Sequence, residues 1–182
     1  VDVSRSAADP SSEPAMAVWQ GAVHVAWIEA VGAGSHVATA RVSRSGGGFS
    51  APELLTLGQG DVSRKCPAVV PEGDRLRLLW QDRRLGRQRI YTTWRDAGSL
   101  EAPRPAVTGA GDASRPDLAE GVRGELHVVY SVDAGGNGEV FHAVEGRPGE
   151  GFAAPVNISR SAGGSYQPTV AVVGSAVHAA WE

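Results

Sequence analysis

Four stretches of the chain alternate apolar with polar or small residues and run up to an aromatic: Val23–Trp27, Leu76–Trp80, Leu126–Tyr130 and Val177–Trp181. A period of two predicts β-strands, with successive side chains on opposite faces. A shorter apolar run precedes most of them (15–18, 68–70, 169–172), set off by Gly21, Gly73 or Gly174 as a tight hairpin requires. A third run follows (37–42, 90–94, 140–144), then a Gly-rich turn and a short strand after an Ala-Pro pair. No helical 3.6-residue period is sustained. For the first unit this predicts strands near 14–19, 22–29, 36–43 and 52–57, a four-stranded antiparallel meander.

The unit repeats. The aromatics at 27, 80, 130 and 181 are 53, 50 and 51 residues apart. The Ala-Pro markers ending at Pro52, Pro103 and Pro155 are 51 and 52 apart, so two anchors share one period. Four-stranded units of this length fit an all-β propeller, each unit a blade around a central channel. A flat β-solenoid fits less well, because its repeats are usually shorter.

The whole of 1–182 reads as one repeat domain, with blades near 14–57, 67–108 and 116–159 and a split blade made from 1–5 plus 165–182. Three blades are complete and a fourth is partial. Propellers close with about four to eight blades, so three schemes remain open. The chain is a piece of a longer propeller, two copies share a ring, or a strand at Val1–Val3 joins the unfinished last blade. Burial of the last strand's face, Val177 and Trp181 above all, is expected in each, with self-association slightly preferred over a closed four-blade monomer.

Composition narrows function. A net charge of −3 provides no basic footprint for nucleic acid. Cys66 is single, so no internal disulfide forms. No apolar run reaches transmembrane length and no signal-like segment opens the chain.

The block Asn157–Gly174, followed by an alternating strand and an aromatic, resembles the repeats of sialidase-like (BNR, or Asp-box) β-propellers, and the resemblance covers essentially the whole chain. That family's Asp-box lies in the hairpin between the third and fourth strands of a blade. Here it survives as remnants at 43–49, 94–100 and 145–152, with only Asp96 and Gly98 keeping the Asp-x-Gly pair. In this family the Asp-box is a turn device remote from the substrate pocket: Asp accepts from hairpin amides and Gly supplies a positive φ. The resemblance implies a carbohydrate ligand and an extracellular or periplasmic location.

In a propeller, the loops leading into first strands and those leaving second strands share the rim of the channel mouth. Ser63-Arg64, Ser114-Arg115 and Ser165-Tyr166 occupy matching positions in the former. Glu29, Asp82 and Asp133 follow the aromatics in the latter, with Arg83, Arg84, Arg87 and Arg89 crowding one loop and Asn137 in another. Alternating guanidinium and carboxylate groups around a concavity suit a hydroxyl-rich or anionic ligand. Residues recurring in every repeat equally fit a local duty, Ser in the interblade turn and Asp or Glu capping the loop. The ligand candidates are therefore Glu29, Arg64, Asp82, Arg84, Arg115, Asp133 and Tyr166.

His24, His127 and His178 hold one repeat position, taken by Arg77 in the remaining copy. Equivalent points on packed sheets lie about 10 Å or more apart, too far for a shared metal, so no metal or other cofactor is expected. A sialidase would need an arginine triad, a Tyr/Glu nucleophile pair and an Asp acid/base, by resemblance. Arg64 and Arg115 match two of three arginines, but the Phe/Tyr-Arg-Ile-Pro segment is missing and Tyr166 is the only rim phenol. Other glycosidases need two carboxyl groups about 5–10 Å apart. The favoured reading is a non-catalytic propeller segment binding carbohydrate or another polar or anionic ligand. The alternatives are a glycoside hydrolase completed by further blades and a structural or assembly module.

Overall fold

The structure, a computed structural model, describes residues 2–5, 10–56, 68–72, 74–96, 99–109, 111–133, 135–147 and 149–182. Fourteen strands occur among them, with no helix. The first blade is β1 (Ser11–Trp19), β2 (Ala22–Val31), β3 (Gly34–Ser43) and β4 (Glu53–Leu54). The second is β5 (Ala68–Glu72), β6 (Arg75–Asp82), β7 (Arg89–Arg95) and β8 (Arg104–Pro105). The third is β9 (Asp112–Glu120), β10 (Leu126–Asp133), β11 (Gly138–Glu145) and β12 (Val156–Asn157). Each is an antiparallel sheet in sequence order, and β13 (Thr169–Val173) pairs with β14 (Ala176–Ala180) as a two-stranded fourth unit. Three blades and part of a fourth are thus present, as the repeat predicts.

Local chemistry explains the boundaries. The β1–β2 hairpin turns on Gln20 and Gly21, both with positive φ (46° and 72°), the pairing of a two-residue turn that matches strand twist. Pairing of Ser11 with Glu29 and Ser12 with Ile28 carries β1 beyond its expected start, across an irregularity at 13–14. The fourth strands are only two residues long, each beside a proline that withholds an amide donor.

First strands stack around the axis: β1 contacts β5, β5 contacts β9, and β9 contacts β13. The side chains of alternate faces meet between blades. Trp19, Ala26, Ile28 and Val37 of the first blade pack on Leu76, Leu78, Trp80 and Tyr91 of the second. Leu79 and Ile90 of the second pack on Leu118, Val128 and Tyr130 of the third. Trp80 and Tyr130 therefore each face the preceding blade, and Trp80 is wholly buried, whereas Trp27 packs on the first blade's own outer face.

The ends differ from expectation. Asp2–Arg5 forms no strand on the last blade; Val3 packs with Trp27, Ala38 and Phe49 on the first blade's outer face. The segment instead repeats a turn. Asp2 Oδ1 accepts from Ser4 N and Oγ and from Arg5 N, as Asn157 Oδ1 does from Ser159 and Arg160, and Arg5 and Arg160 share a positive φ. A side-chain acceptor that closes its own turn competes with ladder pairing. Val173, Val177 and Trp181 stay exposed at 67%, 40% and 41%.

Candidate ligand site at the channel mouth

Of the seven rim candidates, the structure engages three in their own blades. Glu29 is buried, and its carboxylate accepts from the Trp27 indole at 2.5 Å and from Ser11 Oγ at 2.9 Å. Asp82, fully buried, accepts from the Trp80 indole at 3.2 Å and from Arg84 N and Nε, both at 2.8 Å, with Arg84 Nη2 completing a fork. The Arg84 guanidinium then lies 4.4 Å from the Tyr91 ring centroid. Residues two apart share a strand face, so each carboxylate meets the indole N–H that burial would otherwise orphan. The recurrence of Trp-x-Asp/Glu is thus structural, and Arg84 belongs to it.

Asp133 is a turn cap, accepting from Gly136 N at 2.8 Å. Arg64 lies outside the described residues. Arg115 lies inside β9, at the break in its pairing, rather than in the loop before it, and Tyr166 lies in the segment before β13. The guanidinium of Arg115 has no ion-pair partner among the described residues, whereas its backbone N donates to Gln81 Oε1 of the second blade at 3.0 Å. Tyr166 is 39% exposed, and its ring lies over Gly138 and Gly164, where an added Cβ would sit 2.1 Å and 2.5 Å from it. Its backbone exchanges two hydrogen bonds with Glu182, at 2.6 Å and 3.0 Å.

The rim has a further recurrent position. Glu13, Arg115 and Gln167 each precede a proline and each has φ of 53°. Left-handed backbone is uncommon for such residues and costs about 1–3 kcal/mol. In the first and third blades the dipeptide interrupts pairing: Glu13-Pro14 lies opposite Trp27, and Arg115-Pro116 opposite Tyr130. Bulges of this kind re-aim side chains and recur beside functional sites. Glu13 and Gln167 were not among the candidates. The x-Pro step at 14, 67, 116 and 168, spaced 53, 49 and 52, was the available signal. Between the third blade and the fourth, Asp117 accepts from Thr169 Oγ1 at 2.7 Å and Val170 N at 2.9 Å, fixing the spacing there.

The three repeat histidines lie on β2, β10 and β14, in three separate units. His24 packs against Trp19, and burial, then the Arg41 and Arg95 charges, hold its imidazole below the usual 6.5. His127 Nδ1 is 3.1 Å from His142 Nε2 with the rings stacked, and burial, then His127, lower His142. His178 is exposed. Among the described residues no group of three or more His, Cys, Asp or Glu is placed to hold a metal. Asp96 caps its own turn, accepting from Ser99 N at 2.7 Å and Ser99 Oγ at 3.0 Å.

No protein-family model and no curated protein sequence matches the chain. Solved structures do. An endo-arabinase from Bacteroides thetaiotaomicron aligns with a TM-score of 0.62 at 12% identity, over 86% of this chain and 64% of that one. A Bombyx mori β-fructofuranosidase in complex with sucrose gives 0.63 at 14%, over 94% and 41%. Trypanosoma rangeli sialidase in complex with sialic acid gives 0.63 at 12%, over 90% and 32%. The chain therefore shares the β-propeller fold of these structures, a likeness that does not extend to Asp-box repeats. The chain spans from about a third to about two thirds of these structures' length. Among the described residues no helix is long and apolar enough to cross a membrane.

Proposed function

We propose that this chain is a non-catalytic propeller segment that binds a carbohydrate, or a similar polar or anionic ligand, at the channel mouth. The observation that carries the reading is the division of labour at the rim. Glu29 and Asp82 are buried against indole donors, while the Arg115 guanidinium and the open Tyr166 ring stay available. A guanidinium offers paired donors to a carboxylate or to vicinal hydroxyls, and a phenol ring supplies a flat apolar face with a polar tip. The solved neighbours are carbohydrate-active propellers, which adds a fold-level analogy. By the same analogy we propose that the protein acts outside the cell and that Arg64 joins Arg115 in the binding set.

The test is a glycan array followed by titration of variants. Arg64→Ala and Arg115→Ala each weaken binding by about 1.5–3 kcal/mol, the usual loss for a charge-assisted hydrogen bond. Asp96→Ala, in a hairpin on the opposite face, lowers stability and leaves affinity unchanged. Equal losses from all three would mean the rim is not the site. The glycoside-hydrolase reading draws on Glu13, a carboxyl group at a strained rim position. Turnover of an arabinan or a sialoside that Glu13→Gln abolishes would replace the binding reading with the enzymatic one.

A further inference from the structure

The gaps between successive blades can be compared position by position, because the repeat supplies its own control. Between the second and third blades the gap is filled. Arg77 on β6 and Trp94 on β7 are register partners, and the guanidinium lies 3.8 Å from the indole centroid and 5.5 Å from that of Phe152. Arg77 also donates to Thr92 Oγ1 at 3.3 Å and pairs with Glu145 across the gap. Arg77 is 1% exposed, and no space remains around it.

Between the first and second blades the same three positions carry His24, Arg41 and Arg95. The smaller imidazole replaces Arg77, a flexible exposed arginine replaces the Trp94 ring, and a cation stands where Glu145 stands in the next gap. What results is a cleft of about 420 Å³, lined by His24, Arg41, Ser50, Glu53, Arg95 and Ser99 among others. It opens beside the hairpins between third and fourth strands, the face away from the channel mouth. The volume falls within the range of about 300–1,000 Å³ usual for small-molecule sites.

The lining has a definite chemistry. Arg95 is occupied: it pairs with Glu53 of the neighbouring blade and donates to Thr39 Oγ1 at 3.1 Å, which ties the walls together. Asp96 is engaged by Ser99 within its own hairpin. Arg41 has no ion-pair partner among the described residues. Burial, then the Arg41 and Arg95 charges, disfavours a charge on His24. Of the two carboxylates in the lining, Glu53 answers Arg95 and Asp96 is held by Ser99, so Arg41 is the cation there without a paired carboxylate among the described residues. Ser50 Oγ, which accepts from Arg41 N, Ser99 Oγ, which donates to Asp96, and the Glu53 carboxylate, paired with Arg95, are oxygens around it with remaining acceptor capacity.

We propose that this interblade cleft is a second binding site, taking a small sugar acid whose carboxylate pairs with Arg41 beside His24 and whose hydroxyls meet the serine and Glu53 oxygens. A guanidinium and a carboxylate match as a planar fork, and partial enclosure strengthens the pairing relative to water. The site is independent of the rim and does not rest on the function proposed above.

The experiment is a titration of the full chain with glucuronate, with glucose as the uncharged control and inorganic sulfate as the bare anion. It is followed by the His24 ring resonances and by calorimetry. Saturable glucuronate binding that moves His24, with glucose at least tenfold weaker, is the expected result. Arg41→Ala, at an exposed position, raises the Kd at least tenfold. The pair His24→Arg with Arg41→Trp, which copies two of the three positions of the filled gap and fills the cleft with bulk, removes binding, and its urea midpoint reports whether the fold is kept. Arg115→Ala leaves the His24-detected Kd unchanged, whatever it does to binding at the channel mouth. An unmoved His24, an Arg41→Ala Kd equal to wild type, or equal binding of glucose would overturn the proposal. Sulfate binding without glucuronate binding would overturn the sugar-acid assignment. Loss in Arg115→Ala alone would move the ligand to the rim.

Discussion

Arg77→Met tests how the second and third blades are held together. The substitution keeps the aliphatic volume under Phe152 and Trp94 but removes the charge that faces Glu145, whose side chain is fully buried. Stripping one partner from a buried pair costs about 3–5 kcal/mol, chiefly because the other charge stays desolvated. Two effects pull on that figure. Glu145 Oε1 retains the amides of Gly149 at 2.7 Å and Gly151 at 3.0 Å, which lessens the penalty. The guanidinium–indole contact, worth about 2 kcal/mol when desolvated, is lost and raises it. These contributions overlap rather than add, so about 3–4 kcal/mol is expected. With a urea m-value of about 2 kcal/mol/M, the midpoint falls by about 1.5–2 M at unchanged m. Adding Glu145→Gln removes the stranded charge while its carbonyl oxygen still accepts from the glycine amides. The double variant therefore returns to within about 1 kcal/mol of wild type. A single variant within about 1 kcal/mol of wild type, or strict additivity of the two substitutions, would refute the argument.

Two further outcomes follow from the folded state. Depressed imidazoles at His24 and His142 mean that the unfolded chain binds protons that the native chain refuses. Stability is then complete above the ordinary value of 6.5 and is lost as pH falls through the folded values. A Tm lower at about pH 5.5 than at about pH 7.5, with a shallower slope in the His24→Gln, His142→Gln variant, is expected; an identical slope would exclude these groups. The second concerns β14, which pairs only with β13 among the described residues and leaves Val177 and Trp181 open. Such an edge templates strand pairing, so light scattering should show concentration-dependent association that Val177→Lys suppresses. A mass of one chain, 18.9 kDa, at every concentration would count against it.

The fold was legible because one signal was repeated. Each alternating strand runs up to an aromatic, and those of the second and third blades, Trp80 and Tyr130, face the preceding blade, so they mark both the period and the packing direction. The rim was only half legible. The spacing that places Glu29 and Asp82 near the mouth also places them on the same strand face as Trp27 and Trp80. Once those rings are buried their N–H groups claim the carboxylates. The strained Glu13 and Gln167 went unread, although the recurring proline beside each was present in the sequence. Partners such as Arg77 and Glu145, 68 residues apart, join different repeats and carry no local pattern. The start of the chain misled for a related reason. Asp2–Arg5 copies the sequence of Asn157–Arg160, and what the copy preserves is a side-chain-closed turn rather than a strand.

The comparison of the two interblade gaps bears on how a repeat fold acquires sites. A propeller needs its inner strands packed, and here Leu76, Leu78 and Trp80 meet that need between the first two blades, as Leu118, Val128 and Tyr130 do between the next two. The outer part of each gap is under no such demand. In one it is closed by a buried ion pair and a stacked indole; in the other it is a polar cleft whose walls are tied by Arg95 and Glu53. A buried pair is weak evidence for net stability, since a well-packed apolar replacement is often as stable. Closing the gap with Arg77, Glu145 and Trp94 is therefore one solution among several, and leaving it open costs the inner packing nothing. Substitution at positions 24, 41 and 95 would then change what the outer face binds while the channel mouth and the ring of first strands stay as they are.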